Sequence, residues 1–303
     1  MKRAALLTTA LLAGAGNAQA QSSGFYTDGF VEYGYLTGDG DEISMGYADF
    51  SLGFGFGGGS SLPMGFDLGV LGGVIDGFGP SDSEFVLFPT VWLDTSVGRF
   101  SIGTPRSAIG SAFDLPNLGG SNILKVELNA FVNITDYVPL LSGVNSYGAR
   151  FDGNFGGFDT GLSVHGFTGV GSDSTSITGF VGRDYGAIDW VIGVESFSFS
   201  GISRQSYFAQ VGYDVDQCGG SLTLIDGDMT PNLLVVLGGF YKPLDWLTLN
   251  ATYINFGSSN DTIGVSAEAS FLKNGYAGIG YLDSIGGGGS GITTAYVGWK
   301  LNY

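Results

Sequence analysis

The chain has 303 residues and a formal net charge of −17, with only 13% charged residues against 44% hydrophobic ones, and 55 Gly, 23 Phe and 15 Tyr. Soluble domains carry roughly a quarter charged residues, so an ordinary helical enzyme is disfavoured, and the acidity leaves no electrostatic reason to bind nucleic acid or an anionic surface. One Cys (Cys218) and one His exclude a disulfide framework and the usual zinc or iron–sulfur ligand sets.

Met1 to Ala20 reads as a secretory signal peptide: Lys2 and Arg3, a short apolar stretch from Ala4 to Ala15, then Ala18-Gln19-Ala20 before the cleavage site. The apolar part falls short of the roughly 20 residues a helix needs to span a bilayer. Cleavage leaves residues 21–303, with 11 − 2 = 9 basic and 28 acidic residues, a net charge of 9 − 28 = −19. Cations and neutral solutes are the partners such a chain attracts.

From Gly24 onward, short segments alternate at period two between Gly-, Ser-, Asn- and Asp-rich turns, with no helical period between them. In 48–56 the even positions are Ala48, Phe50, Leu52, Phe54 and Phe56, and the odd ones Asp49, Ser51, Gly53 and Gly55. The split recurs in 66–70, 188–195, 207–214, 247–253 and 263–271. A soluble sandwich would turn Lys, Glu and Thr outward. Here the acids oppose the aromatics, which suits an apolar outside, a wet interior and a closed sheet without unpaired edges.

Strands are predicted near 29–37, 44–56, 65–75, 85–95, 98–104, 144–153, 158–167, 177–185, 186–195, 206–214, 221–227, 233–242, 246–256, 262–272, 275–282 and 293–303. The fold class is therefore an all-β transmembrane antiparallel barrel of sixteen strands, the even number returning both termini to one side. Residues 105–143 are too long for an idle connection. An extra hairpin there, raising the count to eighteen, is the alternative, because Lys125 to Thr135 alternates somewhat.

Gly98-Arg99-Phe100-Ser101-Ile102-Gly103, the stretch Asn145 to Asp152 followed by Phe155-Gly156-Gly157-Phe158, and the closing Thr293 to Tyr303 with its terminal aromatic resemble the general diffusion porins of Gram-negative bacteria. That family usually ends in Phe, so Tyr303 departs from it. The resemblance implies a homotrimer in the cell outer membrane, contacting its lipid and passing small hydrophilic solutes and cations passively. It also implies that 105–143 folds inward as a constriction loop.

In such pores, loop acids face wall bases across the narrowing, and low-dielectric walls focus the field. Asp114, Glu127 and Asp136 are the candidate loop acids. Arg99 and Arg150 are the candidate wall bases, with Arg106 at the base of the loop. The inward-parity acids Glu32, Asp49, Asp67, Asp189, Asp214 and Glu268 outnumber Arg99, Arg150 and Lys300 even with Arg106 counted beside them, which predicts a moderate cation preference that weakens as salt is raised. Tyr241, Trp246, Tyr253, Tyr281, Trp299 and Tyr303 sit near strand ends, where amphipathic rings form girdles at headgroup level.

No cofactor is implied. Asp39, Asp41 and Glu42 could offer oxygens to Ca²⁺ but lack the spacing of a calcium loop. The Gly-rich runs Gly57 to Ser61 and Gly286 to Ser290 lack the Lys-Ser or Lys-Thr of a phosphate loop. Two rival readings stay open: a barrel enzyme acting on lipid through Ser163 and His165, which share a strand face, and a barrel adhesin or structural anchor.

Overall fold

A computed structural model describes residues 24–300 apart from 39–40, 58–62, 78–81, 114, 170–173, 200–201, 229, 231, 258–260 and 286–290. The signal peptide and Tyr303 lie outside these residues. Sixteen strands follow one another: β1 (Gly24–Gly38), β2 (Asp41–Phe56), β3 (Met64–Asp76), β4 (Asp82–Thr95), β5 (Gly98–Gly103), β6 (Asn145–Phe155), β7 (Phe158–Thr168), β8 (Ser174–Asp184), β9 (Ile188–Phe199), β10 (Ile202–Val215), β11 (Cys218–Gly227), β12 (Leu234–Leu244), β13 (Leu247–Asn255), β14 (Asp261–Phe271), β15 (Gly275–Ile285) and β16 (Ile292–Lys300). Each pairs antiparallel with its chain neighbours, and β1 pairs with β16 (Phe30 opposite Lys300), closing the barrel. Closure is what makes the sheet compatible with lipid, since every strand has a partner on both edges.

The period-two split decides which way the wall faces. Phe25, Phe54, Phe66, Leu87, Ile102, Leu162, Ile177, Tyr207, Val265 and Ile279 stand exposed on the outside. At positions of the opposite parity, Glu32, Thr90, Ser163, Thr178, Glu195, Thr223, Thr252 and Thr294 are buried inside. An apolar band of this kind is solvated by hydrocarbon rather than water, so this is a transmembrane barrel. Trp246, Tyr241, Tyr281 and Trp299 are exposed at strand ends, as the girdle reading expects.

The long connection between β5 and β6 corrects the eighteen-strand alternative. It holds two helices instead of a hairpin, α1 (Asn122–Val132) and α2 (Ile134–Ser142), after a short 3₁₀ turn at Ile109–Ser111. Their boundaries have local causes. The Ser121 side chain caps α1 by accepting from the Ile123 N–H, Asn133 caps α2 by accepting from Asp136 N–H, and Gly143 at φ 65° ends α2 in the left-handed region.

This segment lies inside the barrel. Its Ile109, Phe113, Leu115, Leu118, Leu128 and Val132 pack against Val191, Phe208, Ile225, Leu234, Val236 and Ile254, which point inward from β9 to β13. A second cluster joins Ile123, Tyr137 and Leu140 to Tyr47, Leu71 and Phe88 of β2 to β4. The interior is therefore not uniformly wet. Wall glycines admit the segment's backbone: a Cβ at Gly280 would collide with the Gly119 carbonyl oxygen.

Candidate functional site

Each helix of the inner segment begins on a buried wall carboxyl. Glu32 of β1 accepts from Ser121 Oγ (2.5 Å), Asn122 N (3.0 Å), Asn122 Nδ2 (2.8 Å) and Tyr276 Oη (2.9 Å). Glu195 of β9 accepts from Ile134 N (3.1 Å), Thr135 N (3.0 Å) and the Thr135 hydroxyl. The first N–H groups of a helix have no partner within it and carry its partial positive charge, so an acceptor there serves both needs. A third tether joins Ala108 N to Ser163 Oγ (3.0 Å) and Thr178 Oγ1 (3.1 Å) of β7 and β8.

Held this way, the segment leaves a cavity of about 790 Å³ lined chiefly by itself and by β1 to β6. Its lining carries six acids (Asp28, Asp49, Asp67, Asp136, Asp152, Asp189) and five bases (Arg99, Arg106, Lys125, Arg150, Lys300), a sum of 5 − 6 = −1. The signs are interleaved. Arg106 of the segment meets Asp49 of the wall at 2.6 Å, Arg150 meets Asp152 at 2.6 Å, and Arg99 meets Asp94 at 2.6 Å. Burial opposes the Arg106 charge, but Asp49 and the neighbouring Asp136 outweigh it and hold the guanidinium pKa above its ordinary value. The Tyr137 phenol, bonded to Tyr47 Oη at 3.0 Å, is likewise held up, by burial first and Asp49 second.

The residues singled out in the sequence divide as follows. Arg99, Arg106, Arg150 and Asp136 line the one cavity. Asp136 does so as a brace, its oxygens accepting from Ser107 N (2.7 Å) and Asn133 Nδ2 (2.8 Å). Arg150 also donates to the Ser107 carbonyl at 2.9 Å, tying the segment to β6. Asp114 and the Glu127 side chain lie outside the described residues. Of the inward acids, Glu32 serves the inner segment and Glu268 is bonded to Tyr296 and lies 3.7 Å from Lys300.

Glu195 and Tyr137, with the caps Ser121 and Asn133, went unread as site residues. The Ser121 and Asn133 side chains, each just ahead of a mixed apolar run, were the available signal.

Ser163 and His165 do form a pair, His165 Nε2 to Ser163 Oγ at 2.9 Å. Both are at most 2% exposed, face the interior beneath the segment, and the Ser163 oxygen is already engaged by Thr178 and the Ala108 N–H. That oxygen thus serves the tether of the inner segment to the wall. Asp39 of the calcium reading lies outside the described residues, while Asp41 and Glu42 open β2 exposed.

No protein-family model matches the chain. No curated protein matches it. Solved structures do: a triple mutant of Rhodopseudomonas blastica porin at 13% identity and TM-score 0.63, and another mutant of that porin at 13% and 0.62, each match covering 92% of this chain and 99% of the other. A structure titled for the asymmetric conductivity of engineered proteins matches at 12% identity and TM-score 0.63 over the same shares. The chain shares the fold of these porins, a closed sixteen-stranded antiparallel barrel.

Proposed function

We propose that this chain is an outer-membrane porin, a channel for the passive diffusion of small hydrophilic solutes and ions with no chemical step. The observation that carries this reading is the pairing of an apolar exterior with an interior cavity of about 790 Å³ lined by eleven charged side chains (6 + 5). Such a wall isolates a polar path from hydrocarbon, and paired charges along it can orient polar solutes without binding them tightly. Asp49, Arg106, Asp136 and Arg150 form the constriction, with Arg99 nearer the short-turn end, the end where connections of two or three residues (96–97, 156–157, 185–187, 216–217, 245–246 and 272–274) join the strands.

A moderate cation preference follows from the −1 sum at the cavity and the −19 of the mature chain. Assembly as a homotrimer is supported by the family resemblance, and native electrophoresis of unheated protein tests it. Planar-bilayer recording tests the channel itself: stepwise current increments on insertion are expected, and a correctly folded barrel that never conducts would overturn the reading.

A further inference from the structure

The outward face carries a cation that the pore does not use. Arg183, the penultimate residue of β8, has outward parity with the exposed Ile177, opposite Trp190 in the ladder. Its guanidinium carbon lies 4.8 Å from the Phe158 ring centroid and 4.7 Å from that of Tyr185, and it passes over Gly157 in the β6–β7 turn. The Phe158 ring in turn meets Trp190 edge-on at 6.2 Å. Two ring faces attract the charge but accept none of its five N–H donors in a normal hydrogen bond. Among the described residues no carboxylate is within ion-pair reach of Arg183.

The position is the short-turn rim, where the aromatics Phe155, Phe158, Tyr185 and Tyr213 are exposed. That rim sits at headgroup depth, and the planar guanidinium fork matches a phosphate in a two-point grip. We propose that Arg183, clamped between Phe158 and Tyr185, binds the phosphate of a phospholipid headgroup in the leaflet at the short-turn end. The rings fix the fork's direction and remove much of its rotamer freedom. The phosphate supplies the acceptors that the protein withholds. This site depends on the barrel lying in a bilayer and not on its conducting, so a failure here and a failure of the channel reading are separable.

The test uses the full chain reconstituted in vesicles containing phosphatidylglycerol and phosphatidylethanolamine, extracted in mild detergent and weighed by native mass spectrometry. Strand-type circular dichroism and the heat-dependent electrophoretic shift of a folded barrel, neither of which requires conduction, report that each variant has folded. Retained phospholipid is expected to fall about tenfold in Arg183→Gln, the loss of one charge-assisted contact, and to survive in part in Arg183→Lys. Phe158→Leu, which keeps the charge and removes one ring, is expected to lower retention by a smaller factor. Equal retention by wild type and Arg183→Gln overturns the site, and displacement of the lipid by millimolar inorganic phosphate overturns its assignment to a lipid headgroup.

Discussion

Glu32 and Glu195 stand on β1 and β9, eight places apart (9 − 1) in a ring of sixteen strands, and each receives the N-terminus of one helix of the inner segment. The segment is therefore tethered to opposite walls and strung across the lumen. Both carboxyls are at most 1% exposed, so their bonds compete little with water. These two residues fix where the inner segment crosses the barrel.

Replacing either acid by Gln turns one acceptor oxygen into a donor that faces other donors, at a cost of about 1–3 kcal/mol. Glu32→Gln is expected to loosen α1 and Glu195→Gln to loosen α2, each giving noisier open-channel current and faster proteolysis within 105–143. The double variant should exceed either. Current traces and cleavage rates identical to wild type in all three would show that the tethers do not position the segment.

Close approach supplies a second handle. Because a Cβ at Gly280 would collide with backbone at Gly119, and one at Gly238 with the Pro116 ring, Gly280→Ala should be the worse of the two. The overlap with the Gly119 carbonyl is the deeper of the two, so Gly280→Ala is expected to cost about 1–3 kcal/mol in urea unfolding and to shift the conductance, while Gly238→Ala does less. Unchanged conductance in both would mean that the segment rides free of the wall.

The strands were legible because two independent signals agreed, period-two alternation and Gly/Asn/Asp turns, and because closing the barrel forces a single parity on each strand. The interior helices were not. Asn122 to Val132 scatters its apolar residues so that short windows also alternate, and Pro139 inside α2 speaks against a helix although it is tolerated there. The apolar lining of β9 to β13 did leave a trace: Leu233 to Leu237 is a continuous apolar run, as a strand needs when both of its faces are covered. Which carboxyl meets which helix end is a contact across 89 residues between Glu32 and Ser121, and no local pattern encodes it.

The two faces of the wall should tolerate charge oppositely. Leu162, 56% exposed at the middle of β7, faces hydrocarbon, and Leu162→Arg is expected to cost about 2–4 kcal/mol. Ser51 lines the cavity, so Ser51→Lys should leave the unfolding midpoint near wild type and shift the reversal potential toward anions. Comparable destabilisation by both substitutions would contradict the assignment of inside and outside.

If the channel reading holds, the Asp49–Arg106 pair is where its selectivity is tested. Removing the cation in Arg106→Ala takes the cavity sum from −1 to −2 and leaves Asp49 unpaired beside the path, so cation preference should rise. Asp49→Asn removes the acid instead, and the preference should fall or invert. Because the Arg106 pKa lies above its ordinary value, and because the base is charged below its pKa, its charge persists across the working range. The Tyr137 phenol, also held up, stays neutral there. The difference between wild type and Arg106→Ala should thus be flat between about pH 6 and 9. Salt is the effective variable: screening shortens from about 10 Å at 0.1 M to about 3 Å at 1 M, so the three proteins should converge as KCl is raised. Reversal potentials in KCl gradients measure each of these differences, and anion selectivity of the wild type at low salt would show that the bases at the constriction outweigh its acids.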